Sequence, residues 1–299
     1  ALETRDDGGN TGNTILGKNA WANHPGDNDA SDYNTVIGED AMGTGTIDGA
    51  LNNVAVGWKA LEDLTSGDYN TALGTQAAWN MTTGQENVAI GQGALSTATT
   101  EAYNISIGSG SMNSVRHDDS DSNIAIGRNS LQGGGAAIVG NVAIGGNAMN
   151  STAANAQTGT IAIGFNALTA LTAGLGNLAI GYNAGAALTT GTGNTALGYQ
   201  AMSTAMDVGD SNTAIGRNAL YSLNPDSDDH GKNTSLGSSA GYTLTTGTEN
   251  TYIGESAGYY NATGDNNVAV GQNAGGSNAS GSNSGNTAVG KSALEAITD

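Results

Sequence analysis

The chain of 299 residues contains 48 glycines, 2 prolines and no cysteine, and its 27 acidic against 8 basic residues give a formal net charge of −19. This charge argues against binding to nucleic acid and against an anionic membrane surface, because both require a basic patch. The lack of cysteine excludes disulfide scaffolds, thiol catalysis and cysteine-bound metals. No run of about 18 apolar residues exists, so we expect no membrane insertion.

A five-residue phrase recurs along the chain: Asn, an apolar residue or Thr, usually Ala, an aliphatic residue, and Gly. We count sixteen copies, and Gly closes every one of them. Ala stands at the eighth position in fourteen copies. Such self-similarity indicates a repeat architecture. The copies begin at Asn13, Asn34, Asn53, Asn70, Asn87, Asn104, Asn123, Asn141, Thr160, Asn177, Asn194, Asn212, Asn233, Asn250, Asn267 and Asn286.

In chain order, residues 1–12 are a lead-in, residues 13–294 are the repeat rod and residues 295–299 are an exit segment. Seven of the fifteen intervals between copies are 17 residues, and the longest are 21. Longer units insert residues just before the next Asn, which predicts one permissive loop per repeat on one side of the stack.

The second to fourth positions of each phrase predict a short strand with one buried face, and we expect the second and fourth side chains to point inward. The closing Gly predicts a backbone position with positive φ or no room for a Cβ. The Ala at the eighth position is expected to begin a second short strand. Helices are disfavoured by the density of Gly. The fold class is therefore all-β, a β-solenoid or β-roll of about sixteen coils of 17–21 residues.

Stacked coils place like residues above like, so the opening Asn side chains are expected to form a ladder of amides. The aliphatic, Gly and Ala positions are expected to form ladders of their own. Members of these predicted structural ladders include Asn70, Gly74, Asn87, Gly91, Asn194, Gly198, Asn212, Ile215, Gly216 and Ala219.

The predicted core is thin. Each coil offers apolar residues for about two inner faces, whereas a triangular solenoid fills its interior from three. The missing burial predicts an intertwined or side-by-side homotrimeric fibre, with a lone solenoid as the alternative.

The acid-rich insertions are candidate Ca²⁺ sites, because oxygen ligands at alternate positions suit that ion. The candidate ligands are Asp119, Asp121, Asp226 and Asp228, although none of these loops matches a complete EF-hand loop. The alternative interpretation is that they are solvated loop tips, and no other cofactor is expected.

Three tryptophans, Trp21, Trp58 and Trp79, fall in the first five coils and are a candidate receptor-contact patch or a packing cluster. Tyr33, Tyr69 and Tyr103 each directly precede an opening Asn and are expected to form a partial stripe.

No constellation of residues predicts an enzyme, so we expect no catalytic residue. A polysaccharide-degrading spike would need a unique cleft with paired carboxylates. Ice binding would need an outward array of Thr. Because Thr alternates with Val, Ile and Leu at the second position, we interpret that position as inward, and ice binding is disfavoured.

The tandem units resemble the β-roll heads of trimeric autotransporter adhesins and, more closely, the 17-residue repeats of phage tail fibres. The best local matches are GNTALGYQAM at Gly193–Met202 and NTYIGESAG at Asn250–Gly258. The resemblance implies an extracellular homotrimeric fibre for attachment and display, on a virion or on a bacterial surface. It implies partners that are a cell-surface glycan or protein receptor and neighbouring fibre or baseplate modules. A bacterial adhesin head is the alternative to a phage fibre.

Overall fold

The structure is a computed structural model that describes residues 11–23, 31–152, 155–204, 208–224, 226–276 and 283–295, without the side chains of residues 208 and 226–230. Within these ranges the chain is all-β and contains no helix. The predicted all-β class and solenoid fold are confirmed. Residues 1–10 of the predicted lead-in and 296–299 of the exit segment lie outside the described residues.

Every copy of the phrase forms a three-residue strand at its second to fourth positions, and four further strands lie in the segments that precede an opening residue. The strands are β1 (Thr14–Leu16), β2 (Thr35–Ile37), β3 (Val54–Val56), β4 (Thr71–Leu73), β5 (Val88–Ile90), β6 (Ile105–Ile107), β7 (Ile124–Ile126), β8 (Ile138–Val139), β9 (Val142–Ile144), β10 (Gln157–Thr158), β11 (Ile161–Ile163), β12 (Leu178–Ile180), β13 (Thr195–Leu197), β14 (Val208–Asp210), β15 (Thr213–Ile215), β16 (Asp226–Gly231), β17 (Thr234–Leu236), β18 (Thr251–Ile253), β19 (Val268–Val270) and β20 (Thr287–Val289).

The chain divides into two compact units, Ala1–Gly146 with Thr152–Gln157, and Asn147–Ser151 with Thr158–Asp299. In the first unit β1–β7 and β9 pair in parallel in chain order. In the second unit β11, β12, β13, β15, β17, β18, β19 and β20 do the same. Like positions lie opposite one another, as for Thr213 and Thr234. The chain is a parallel β-solenoid of about 14 turns, and the count of sixteen coils stays a prediction.

The buried face of each strand is the opposite of the one predicted. Ala55, Ala72 and their counterparts at the third position are buried, whereas Val54 and Leu73 on either side are exposed. The expectation that the second and fourth positions point inward was wrong. The third-position methyl points into a narrow interior that the ninth-position side chains already fill, among them Met42 and Leu61. Most coils carry Ala or Ser at this position, and the larger Ile15 and Val36 are buried there as well.

The expected second strand is also absent from the described coils, and a series of turns replaces it. The seventh and ninth residues have positive φ, as shown by Lys59 at 57° and Leu61 at 50°. Residues with left-handed backbone angles turn the chain, and a β-strand requires extended angles, so this segment cannot form a strand. The turns nevertheless bury Ala60 and Leu61, so they form the second wall of the core.

The Gly that closes each phrase is required for two reasons, which Gly216 illustrates. Its φ is 135°, a region that only Gly adopts readily. A Cβ on Gly216 would also lie 2.6 Å from the carbonyl carbon of Gly237 in the next coil. Gly176 is the contrasting case, because its φ is 63° and a Cβ there would have no atom within 4 Å.

The largest residue at any third position is Tyr252, and small neighbours make room for its ring. Tyr252 replaces the usual Ala and is fully buried, and burial raises the pKa of its hydroxyl. The ninth positions of its own coil and of the preceding one are Gly258 and Gly241, which leave room for the ring. The hydroxyl accepts a hydrogen bond from Asn261 Nδ2 at 3.0 Å. The glycines at these ninth positions therefore accommodate a large residue.

We expect Gly216→Ala to destabilise the chain by about 1–3 kcal/mol through backbone strain, with the close contact to Gly237 adding to it. Gly176→Ala serves as the control, and its cost should be about 1 kcal/mol because the left-handed backbone is its only penalty. Urea denaturation of both variants measures the difference. Equal midpoints would mean that the coil-to-coil contact at Gly216 imposes no constraint.

A double-mutant cycle tests the compensation around Tyr252. Tyr252→Ala should cost about 3–5 kcal/mol because it leaves a cavity. Gly258→Leu should also destabilise, since a Cβ there would lie 2.5 Å from Cδ1 of Tyr252. Together the two changes recreate the ordinary coil, so the double variant should be about 1–3 kcal/mol more stable than additivity predicts. Additive free energies of unfolding would contradict this account.

Candidate functional site

The second and fourth positions of the phrase form two outward rows along the strands of each unit. All sixteen fourth positions are Leu, Ile or Val, and the second positions are Thr, Val, Ile or Leu. Leu73 and Leu236 are 46% and 45% exposed. At about 4.8 Å per strand, eight strands present an uncharged face about 34 Å long in each unit. We call these two rows the aliphatic face.

Aromatic rings form two stacks in the second unit. Phe165, Tyr182 and Tyr199 each follow a closing Gly, and all three are about half exposed. Their ring centroids are 5.7 Å and 5.3 Å apart with nearly parallel planes. A second stack of Tyr221, Tyr242 and Tyr259 has centroid distances of 5.0 Å and 5.1 Å. The strict stacking of coils therefore turns repeated aromatic positions into ladders.

A run of threonines lies within the aliphatic face of the second unit. Thr195, Thr213, Thr234 and Thr251 occupy the second positions of four consecutive paired strands. They lie on the outer side of the strands, because the residue that follows each of them is buried. Ice binding was disfavoured on the premise that the second position points inward, and this premise was wrong.

The structure brings together two of the three tryptophans. Trp21 is buried at the ninth position of its coil, whereas Trp58 is exposed. Lys59 Nζ lies 5.3 Å from the ring centroid of Trp58 and 5.6 Å from that of Trp79. Glu62 accepts hydrogen bonds from Lys59 and from the indole of Trp79, and the bond to Glu62 raises the pKa of Lys59. The Trp58–Trp79 pair is a cation–π cluster, and Trp21 does not belong to it.

The acidic candidates have separate environments. Asp119 is exposed beside His117, whereas an Asp121 carboxylate oxygen accepts the N–H of Ala102 at 2.7 Å. The side chains of Asp226 and Asp228 lie outside the described residues. In the part of the chain that is described, no three acidic or histidine side chains converge as metal ligands. Ca²⁺ binding stays a prediction.

Sequence reasoning missed a structural role for Asp. Asp68 and Asp265, like Asp121, stand two residues before an opening Asn. Their carboxylates accept the backbone N–H groups of Leu51 at 2.7 Å and of Thr248 at 2.8 Å in the preceding coil. The recurrence of Asp at that one position was the signal that could have found this role.

Glu101 is a buried carboxyl group in a loop of the first unit. Its Oε2 accepts the N–H groups of Thr99 and Thr100, while its Oε1 has no hydrogen-bond partner. Burial is the main cause that raises the pKa of Glu101, and the nearby negative charge of Asp118 adds to it.

Comparison with known proteins finds no matching family, no matching curated protein and no matching solved structure. Among the described residues there is no helix with the length and apolar character needed to cross a membrane.

Glu101 predicts a pH dependence of stability. Its pKa is higher in the folded chain than in the unfolded chain, where a Glu titrates at about pH 4.3. The stability it contributes is complete below that pH and is lost as the pH rises through the folded-state pKa. Glu101→Gln should therefore be more stable than the wild type at neutral pH, and this advantage should disappear at about pH 4.

Urea midpoints from about pH 4 to about pH 8 measure this difference. Glu86→Gln is the matched control, since it removes an equal charge from an exposed side chain one coil earlier. If both variants changed stability equally at every pH, net charge and not the buried site of Glu101 would be the cause.

Proposed function

We propose that the chain is a structural fibre protein for attachment and display, working as a homotrimer outside the cell. A phage tail or appendage fibre is the favoured setting, and a bacterial adhesin head is the alternative. The partners are further copies of the chain, adjoining fibre or baseplate modules, and a glycan or protein receptor on a cell surface. The proposal includes no catalytic residue and no cofactor.

The observation that supports this proposal is the aliphatic face. Scattered exposed apolar residues are normal, but contiguous patches of several hundred Å² are typical of interaction surfaces. Two continuous rows without a charged side chain run along each unit, and their side chains are exposed or half-buried. A second copy of the chain carries the same apolar rows and would bury them without leaving any charge unpaired.

The apolar surface that favours trimerisation lies outside the coils and not, as the sequence suggested, in an underfilled interior. The described coils bury apolar side chains of their own, among them Ala60, Leu61 and Leu64. The outward rows therefore favour partners packed against the strands. Three copies follow from the resemblance to trimeric fibres, and closed cyclic symmetry lets the same face be buried in every copy.

Attachment would arise from repetition. Within each unit the stacked coils hold their loops and exposed rows at fixed intervals, and three copies would multiply every weak contact. Linked weak contacts that engage together raise the overall affinity by roughly 10²–10⁴-fold without any new contact.

Ice binding is a second candidate, favoured by the run Thr195, Thr213, Thr234 and Thr251. A parallel sheet in strict register holds these hydroxyl and methyl groups at a regular spacing of about 4.8 Å. A folded monomer that arrests ice growth, and that loses this activity in Thr234→Tyr, would support this candidate over the fibre.

Charge placed on the aliphatic face should prevent assembly. Leu236→Lys would bury an unpaired ammonium group at the proposed interface, so we expect the dissociation constant to rise by about 100-fold or more. Leu175→Lys is the matched control, because Leu175 is 46% exposed but lies in a loop and not in the rows.

Sedimentation equilibrium at micromolar concentration measures both variants and the wild type. The wild type and Leu175→Lys should be trimers, and Leu236→Lys should be a folded monomer. A monomeric wild type would overturn the proposed assembly.

A further inference from the structure

We infer that Tyr33, Tyr69 and Tyr103 form a binding site for a linear, neutral polysaccharide of β-linked sugars. This inference deepens the proposed attachment function and depends on it for its biological role.

The three tyrosines lie in one row of the first unit. Each occupies the position directly before an opening Asn, and backbone hydrogen bonds connect that row from coil to coil. Tyr33 N–H donates to Thr11, Tyr69 N–H to Leu51 and Tyr103 N–H to Gln85, at 3.0, 2.9 and 3.1 Å. The tyrosines occur in alternate coils, so successive rings are about 9.6 Å apart.

This position is unfavourable for an aromatic residue. Tyr33, Tyr69 and Tyr103 have φ values of 60°, 57° and 60°, in the left-handed region that suits Gly and Asn. Other coils place Gly12, Gly140 and several further glycines at the same position. Core packing does not explain the rings, because they are 61%, 57% and 49% exposed. Three exposed rings at a strained position therefore point to a ligand.

The orientation of the rings suits stacking. A Cβ on Gly12 would lie 2.7 Å from Cδ1 of Tyr33, so this ring lies against the backbone of the preceding coil. Tyr103 also leans towards the preceding coil, since its hydroxyl accepts Gln85 Nε2 at 3.3 Å. Rings that lie along the stack can offer an open face, and pyranose rings pack their C–H groups on such faces.

Polar side chains alternate with the rings. Asn52 and Glu86 occupy the same row in the intervening coils, and both are exposed. Tyr69 and Glu86 line one shallow depression of the surface. The amide and the carboxylate can bind sugar hydroxyls between the aromatic contacts.

The interval between rings and the charge of the protein restrict the ligand. Two pyranose rings of an extended β-1,4-linked chain cover about the same 9.6 Å as two coils, so equivalent sugar faces would meet successive tyrosines. The net charge of −19 and the exposed Glu86 disfavour acidic polysaccharides. A neutral β-1,4-linked chain satisfies both conditions.

The test is calorimetric titration with soluble hexasaccharides of β-1,4-linked glucose and of β-1,4-linked N-acetylglucosamine. The variant replaces all three tyrosines by Asn, which adopts positive φ readily and should keep the fold. Each lost stacking contact should weaken binding about fivefold, giving a loss of about 100-fold in the triple variant. A disaccharide should bind the wild type more weakly than the hexasaccharide, and the triple variant should lose this dependence on length.

The control replaces Phe165, Tyr182 and Tyr199 by Asn, because these rings are about as exposed but stacked on one another. It should bind the hexasaccharide like the wild type. No binding of either hexasaccharide, or equal loss in both triple variants, would overturn the inference.

Sedimentation of the same samples separates this inference from the proposed function. Binding that depends on the tyrosines in a monomeric wild type would uphold the sugar site and reject the trimeric fibre. A trimer that binds neither sugar would reject the site and uphold the assembly.

Discussion

The ladder of buried Asn side chains is the interaction on which the rest of the structure depends. Asn233 Nδ2 donates to Asn212 Oδ1 at 3.1 Å and to the carbonyl of Gly247 at 2.9 Å. Asn233 Oδ1 in turn accepts the N–H and the Nδ2 of Asn250, both at 3.0 Å. One side chain thus satisfies polar groups of the neighbouring coils in both directions. Only an amide supplies both donors and acceptors in this arrangement, and an unpaired group there would cost about 1–3 kcal/mol.

The ladder sets the register, and the register determines which residues are exposed. Because each Asn within a unit lies against the next, the closing Gly residues lie against one another, as Gly216 lies against Gly237. A shift of one residue would place Cβ atoms where Gly216 contacts Gly237. Side chains alternate between the two faces of a strand, so with the third position buried the fourth position is on the outer face in every coil. The aliphatic residues at that position therefore form a continuous outward row in each unit.

Much of this fold could be predicted from the repeat, but the direction of the strands' side chains could not. The phrase locates the strand of every copy and the Gly constraint, because both depend on backbone geometry, but it does not locate the four strands outside the copies. Which face of a strand is buried depends on the space between the strands and the turns that form the opposite wall of the core. In the phrase, Ala alternates with larger aliphatic residues, and such residues ordinarily occupy a core, so the sequence alone favoured the wrong face. The turns were missed because Leu61 and Met42 have positive φ, which such residues rarely adopt.

The candidate sites were predicted unevenly for the same reason. Residues that share a repeat position, such as Tyr33 and Tyr69, could be placed together from the spacing alone. Trp21, Trp58 and Trp79 occupy different positions of the coil, so their nearness in sequence did not bring all three together. The replacement of Ala by Tyr252 was visible in the sequence beside Gly258. That Gly258 makes room for Tyr252 could not be inferred, because the sequence does not show that third- and ninth-position side chains meet in the interior.

Some repeat positions are constrained by the fold and others tolerate many side chains. This difference explains how such a chain could come to bind new ligands without losing its fold. The Asn, Gly and Ala positions are fixed by contacts that repeat in nearly every coil. The residue just before each Asn is fixed only in its backbone, which is tied to the preceding coil while its side chain faces solvent. Gly, Asn, Ser, Lys, Glu and Tyr all occur there. A left-handed backbone imposes only a modest cost, about 1 kcal/mol, on most side chains. Surface chemistry can therefore change one coil at a time while the ladders continue to hold the solenoid together.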